Sequence, residues 1–221
     1  YEDDQSNLSK TIPAKLIHVP KKESNEEVTL EDLHKDGVIH EMLFKSISKM
    51  GFPSLTPVQQ MTIKPIIESK DQDVIARAKT GTGKTFAFLL PIFQHLLNTK
   101  TDSPDMVRCV IVAPTRDLAL QIESEIKKIY DNNHALQKFG SLSLIGGTNF
   151  GQYMKRMHTL RPNIVIATPG RLMATLERYS SKFFQHVDFL VLDEADRLLE
   201  IGFKEDLESI SRTLNEQNSI G

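Results

Sequence analysis

The sequence predicts an α/β fold in which a parallel β-sheet carries helices on both faces. Short β-branched or apolar runs recur from Val74 onward, and segments with helical apolar spacing separate them. The motifs that carry chemistry fall where the runs end. Apolar strands joined through helices imply right-handed crossovers and a sheet buried on both sides. In such sheets ligands gather at the carboxyl ends of the strands.

Residues 1–28 are polar, with Lys, Glu, Ser and Asn clusters around Pro13 and Pro20, and are expected to form a flexible leader. A helical region follows over 29–72. Val38, Met42, Leu43, Ile47 and Met50 recur at helical spacing and stop at Gly51. Thr56 followed by Pro57 predicts a capped helix start, with the helix running to about Lys70. From 73 to 221 the chain alternates. The strands are predicted at Val74 to Ala76, Val107 to Ala113, Leu142 to Ile145, Ile164 to Ala167 and Val187 to Leu192. The helices between and after them are predicted at about 84–98, 116–130, 149–160, 170–179 and 204–214.

Composition narrows the function classes. The 221 residues are 39% hydrophobic and 25% charged, an ordinary globular balance with enough chain for one sizeable core. The formal net charge of -2 is not that of a broadly basic nucleic-acid binder, so any such contact has to come from a local patch or from backbone donors. The single cysteine, Cys109, lies in an apolar run and reads as a small buried hydrophobe. No run approaches the ~18 apolar residues of a membrane helix. The first residue is Tyr1 and not Met, so a targeting segment, if there is one, is expected upstream of it.

Two motifs carry the chemistry. Ala78-Lys79-Thr80-Gly81-Thr82-Gly83-Lys84-Thr85 follows a predicted strand and opens a predicted helix, the context of a Walker A phosphate loop. Its backbone N–H groups and the helix dipole suit phosphate oxygens, Lys84 suits the β/γ-phosphates, and the Thr85 hydroxyl suits Mg²⁺. Ala78 stands where the general pattern has Gly. The second motif is Asp193-Glu194-Ala195-Asp196, at the end of an apolar strand. Asp193 is suited to hold Mg²⁺ through its water shell, and Glu194 to take a proton from an attacking water. By itself this tetrapeptide could equally be a helix start favoured by its dipole. Paired with the phosphate loop it forms half of an ATPase site.

With these motifs in order, the chain from about residue 30 onward resembles the DEAD-box RNA helicase family. Gly51-Phe52 with Thr56-Pro57-Val58-Gln59 resembles the family's adenine-recognising Q motif. Pro114-Thr115-Arg116-Asp117-Leu118-Ala119, Gly146-Gly147 and Thr168-Pro169-Gly170-Arg171 resemble its RNA-contacting motifs. The resemblance implies the first RecA-like P-loop NTPase lobe over 73–221, preceded by a Q-motif region over 29–72. It implies ATP and Mg²⁺ as cofactors, sequence-nonspecific binding of single-stranded or duplex RNA, a monomer, and no membrane contact. Elementary chemistry agrees. The Gln59 amide can pair with an adenine edge, Phe52 can face the base, and Arg116 and Arg171 can hold phosphates. Leu55 and Asp117 depart from the family pattern, and Leu33 and His34 stand where it places an upstream aromatic.

Within the family, the runs Ile75 to Lys100, Arg161 to Leu172 and Leu192 to Phe203 resemble the fungal mitochondrial helicases that act as splicing chaperones for group I and II introns. That implies the mitochondrial matrix; nucleolar or nuclear members share much of these runs and are the alternative. The family continues past this sequence with a strand ending in Ser-Ala-Thr, in the middle of the sheet, and with a second RecA-like lobe. The 221 residues alone are therefore expected to be poorly stable and inactive, and to lack the last strand or strands of the sheet. Two enzyme classes are excluded by absence: there is no Asn-Lys-x-Asp guanine motif and no catalytic-loop His-Arg-Asp. An ATP-gated RNA clamp without catalytic turnover remains the alternative function.

Overall fold

The computed structural model describes residues 28–52, 54–68, 73–78, 83–99, 106–147 and 149–218, and the backbone of 15–18. In chain order the elements are β1 (Lys15–His18), α1 (Leu30–Lys35), α2 (Glu41–Ser48), α3 (Pro57–Glu68), β2 (Val74–Arg77), α4 (Lys84–Asn98), β3 (Cys109–Val112), α5 (Arg116–Asn132), β4 (Ser141–Leu144), α6 (Phe150–Leu160), β5 (Ile164–Ala167), α7 (Pro169–Phe183), β6 (Phe189–Leu192), α8 (Ala195–Glu200) and α9 (Lys204–Asn218). A short 3-10 helix, His134–Phe139, precedes β4.

The main sheet is parallel, in the order β4-β5-β3-β6. Successive strand residues point to opposite faces, and the two cores follow that alternation. Cys109, Ile111, Ile164 and Ile166 join α1, α2, α4 and α5 in one apolar cluster. Val110, Val112, Leu142, Leu144, Val165 and Ala167 join α6, α7, α8 and α9 in the other. The expected α/β sheet with helices on both faces is therefore present. The helical region before β2 is not set apart from it. Leu43, Ile47 and Ile63 lie in the same cluster as Phe93 of α4, which packs edge-to-face on Tyr130 at 5.9 Å. Cys109 is fully buried, and burial holds its thiol well above the usual range.

Several local expectations need correction. The strand Val74–Arg77 does not join the main sheet; it pairs in parallel with β1, from a stretch read as polar leader. The remaining leader residues, 1–14 and 19–27, lie outside the described residues. That no ladder bond links β2 to β6 among the described residues, and that Ile75 and Leu192 are exposed, accords with the expectation that a strand belongs between them. The helix α1 was not expected. A reciprocal cap builds it: the Thr29 hydroxyl accepts from the Asp32 N–H, and the Asp32 carboxylate accepts from the Thr29 N–H. Thr56 does not cap α3 as expected, because its hydroxyl has no partner. Gln59 instead reaches back, its Oε1 accepting from the Thr56 N–H at 3.0 Å. The helix α4 continues through Pro91, since residues around its whole circumference are buried and packing outweighs the lost backbone bond.

Candidate functional site

The carboxyl ends of the strands hold the predicted site residues in two groups. The first surrounds the start of α4. Ala78 follows β2, and Lys79, Thr80, Gly81 and Thr82 lie outside the described residues. Gly83 caps α4 with a φ of 81°, a conformation that L side chains rarely adopt. A Cβ at Gly83 would sit 2.5 Å from Gln59 Nε2. Space is that tight because Gln59 Nε2 donates to the Gly83 carbonyl at 3.0 Å. The buried Gln59 amide thus latches α3 to the phosphate loop through one of its two N–H groups. One N–H and one lone pair are left over. Phe52 packs edge-on against Phe86 of α4 with centroids 5.0 Å apart and remains 43% exposed, enough to leave ring surface for a flat ligand.

Lys84 and Thr85 occupy the first two positions of α4, both half-buried. Among the described residues Lys84 has no ion-pair partner. It lies close enough to β6 for its charge to act on Asp193. Burial pushes the Asp193 carboxyl above the usual range, and the charge of Glu194 adds to this. The Glu194 N–H, donating to Asp193 Oδ1 at 3.0 Å, and Lys84 pull it part of the way back. A carboxylate held up in this way gains from a cation beside it. Among the described residues no group of three or more His, Cys, Asp or Glu could hold a metal alone. The donors present, the Thr85 hydroxyl and the Asp193 carboxylate, suit Mg²⁺, which binds through few protein groups and keeps its waters.

The Asp193 N–H donates to the Val112 carbonyl at 2.9 Å, which extends the β6–β3 ladder by one residue. The chain then turns sharply. Glu194 has φ 49° and ψ 52°, a left-handed conformation costing about 1 kcal/mol outside glycine. It caps α8 without a side-chain cap bond, while Asp196 lies in the first turn of that helix. The Glu194 carboxylate is only loosely engaged, by Arg197 at 3.5 Å. Backbone strain of this kind clusters at functional sites.

The second group lies at the ends of β3, β4 and β5. Pro114 is buried, and the Thr115 hydroxyl caps α5 by accepting from the Leu118 N–H at 3.3 Å. That cap holds Arg116 at the exposed first position of α5, where NH1 donates to the Gly146 carbonyl at 3.2 Å. Gly147 has a φ of 94°, and a Cβ there would meet Arg116 NH1 at 2.8 Å. Gly146 and Gly170 would meet nothing within 4 Å, so no neighbour within the chain requires glycine at either position. Thr168 continues the β5–β4 ladder, its N–H donating to Leu144, and Pro169 opens α7. Arg171 follows in the first turn of α7, 5.5 Å above the Tyr153 ring and 6.0 Å from that of Phe150.

His34, where the family places an aromatic, stacks on Phe44 at 4.4 Å; its Nδ1 meets the Ile39 carbonyl and its Nε2 meets Glu41. Its ring is occupied structurally, and Leu33 is buried in the core. Two contributors escaped the sequence reading. Phe86 supports Phe52, and Tyr153 lies beneath Arg171. Neither belongs to a motif, and each is identified only by its contacts.

A model of the DEAD/DEAH box helicase family matches residues 56–220. The chain is 65% identical over 218 residues to the mitochondrial ATP-dependent RNA helicase MSS116 of Saccharomyces cerevisiae, covering 99% of this chain and 33% of that protein. It is 39% identical over 195 residues to the ATP-dependent RNA helicase HAS1 of Scheffersomyces stipitis, covering 88% of this chain and 33% of that protein. Among solved structures, Mss116p bound to ssRNA and AMP-PNP superposes with a TM-score of 0.88 at 66% identity, over 93% of this chain and 41% of that one. The yeast DEAD-box splicing factor Prp28 follows with a TM-score of 0.74 at 30% identity, over 81% and 42%. The chain spans about a third of the length of the curated relatives it matches. With the motifs in order along the sequence and a family model matching three quarters of its length, this chain belongs to the DEAD/DEAH box helicase family.

Proposed function

We propose that the full-length protein is an ATP-dependent RNA helicase and RNA chaperone, that this chain is its first RecA-like lobe, and that it remodels RNA in the mitochondrial matrix, intron splicing included. The observation that carries this reading is the grouping of both residue sets at the carboxyl ends of parallel strands, with Lys84 near enough to act on Asp193. Lys84 and Asp193 are electrostatically coupled at β6, and Arg116 is bonded to Gly146 across β3 and β4. The mitochondrial setting is supported by 65% identity to MSS116 against 39% to HAS1.

In this mechanism Phe52 lies against the adenine and the leftover donor and acceptor of Gln59 read its edge. The loop Ala78 to Thr85, which includes Lys79, Thr80, Gly81, Thr82 and Gly83, turns its N–H groups to the phosphates. Lys84 offsets charge on them. Thr85 and Asp193 would hold Mg²⁺, which would supply charge neutralisation at the phosphates. Glu194 orients water and accepts its proton. Thr115, Arg116, Gly146, Gly147, Thr168, Gly170 and Arg171 contact the RNA backbone, beside the buried Pro114 and the helix-opening Pro169; recognition is therefore indifferent to sequence. A second lobe closes over both sites, bends the strand and completes the ATPase site.

ATP turnover by the full-length protein, measured with and without RNA, tests this. RNA should stimulate turnover and accompany duplex unwinding. Lys84→Ala should weaken ATP binding, and Glu194→Gln should bind ATP but lose turnover by roughly 10²-fold or more. Normal turnover by Glu194→Gln removes Glu194 as the base. Binding of ATP and RNA by the wild type without stimulated turnover makes the protein an ATP-gated clamp.

A further inference from the structure

Tyr153 stands on α6, outside every motif, yet it touches one of the three segments assigned to RNA and the residue that leads into another. Its hydroxyl donates to the Ile145 carbonyl at 2.5 Å and accepts from the Ile145 N–H at 3.3 Å. Ile145 is the first residue beyond β4, where the ladder ends, and it is buried. Its backbone groups need partners that the sheet no longer offers. One hydroxyl supplies both, because it can donate and accept at once. The next two residues are Gly146 and Gly147, and Arg116 is bonded to the Gly146 carbonyl.

The ring of the same tyrosine has a second contact. The Arg171 guanidinium lies 5.5 Å above its centroid, within cation–π range. Tyr153 is itself 2% exposed, so both contacts are made from a side chain locked by packing. Its hydroxyl thus fixes the glycine loop and Arg116 behind it, and its face seats Arg171.

We infer that Tyr153 is a positioning residue for RNA binding, one that sets the spacing between the Gly146–Gly147 loop with its Arg116 partner and Arg171. This rests on the assignment of these segments to RNA. Successive phosphates of a single strand recur within a limited range of spacings, so donors already held at matching intervals bind them without paying to be ordered first. Removing the hydroxyl frees the loop and leaves the Arg171 seat. Removing the ring frees the loop and also takes away one of the two aromatic faces against Arg171.

The test uses the full-length protein, a single-stranded oligouridylate and AMP-PNP. Tyr153→Phe keeps the ring and the fold, and should raise the Kd and KM for RNA about tenfold. ATP affinity without RNA and kcat at saturating RNA should stay at wild-type values. Tyr153→Leu should weaken RNA binding further, and its effect should be non-additive with Arg171→Ala. RNA binding by Tyr153→Phe within about twofold of wild type overturns the inference. So does an equal loss of ATP and RNA affinity, which would mark a general packing role. Arg116→Ala and Arg171→Ala, run in parallel, separate the two levels. If both bind RNA normally, the RNA assignment of these segments falls and the Tyr153 inference with it. If both bind weakly while Tyr153→Phe binds normally, the inference alone falls.

Discussion

Gly83 combines a left-handed backbone with a neighbour 2.5 Å from where a Cβ would stand. Gly83→Ala therefore strains the cap and pushes the Gln59 amide out of its latch. The expected cost is about 2 kcal/mol of stability together with weaker ATP binding; a melt and a nucleotide titration check both, and wild-type values in the two would mean the latch is dispensable. At the opposite end of the strands, Asp188 receives Arg108 at 2.6 Å and His95 at 2.9 Å. Burial alone would raise its carboxyl; the two hydrogen bonds and the charge of Arg108 outweigh this and hold it below the usual range. A lowered carboxylate contributes stability above its unfolded pKa and loses it as pH falls through the folded one. Asp188→Asn should therefore cost about 1 kcal/mol at neutral pH, and the difference should begin to shrink near pH ~4 and disappear once pH has fallen through the lowered folded value. A pH-independent difference in denaturant midpoints would assign the effect to packing. Gln59, Lys84 and Glu194 were legible in the sequence as candidates. Tyr153 was not, because its role depends on a loop and a helix that only folding brings to it.

At the scale of elements, the helices that open on motifs were the most legible. α4 and α5 begin where Lys84 and Arg116 were expected to open them, since strand–loop–helix boundaries are marked by local chemistry. Short elements were not legible: α1, α8, β1 and the 3-10 helix lack the length to show periodicity. α5 carries its own test. The Thr115 hydroxyl satisfies one of its first N–H groups and fixes the placement of Arg116. Thr115→Ala should cost about 1 kcal/mol and weaken RNA binding, with Thr115→Ser restoring both. A denaturant midpoint that does not move would show that the cap bond, at 3.3 Å, contributes nothing.

At the scale of the molecule, β6 pairs with β3 on one side and has no ladder partner on the other among the described residues. Leu192 and Ile75 are exposed nearby in sequence to the two motifs they lead into. An apolar strand with an open edge is a poor end to a sheet. Expressed as these 221 residues alone, the protein should melt with low cooperativity and near room temperature; a sharp transition well above it would refute this. The sequence by itself determined the α/β class, the long helices and the family, and it marked the candidate residues of both groups, because spacing and residue type are local properties. Only the tertiary structure decided the sheet order, the pairing of β2 with β1, the Gln59 latch to Gly83, the raised carboxyl of Asp193 and the tie from Tyr153 to Ile145. Each of these depends on which atoms meet after folding. Gln59 and Gly83 are 24 residues apart, and no pattern along the chain records that they touch.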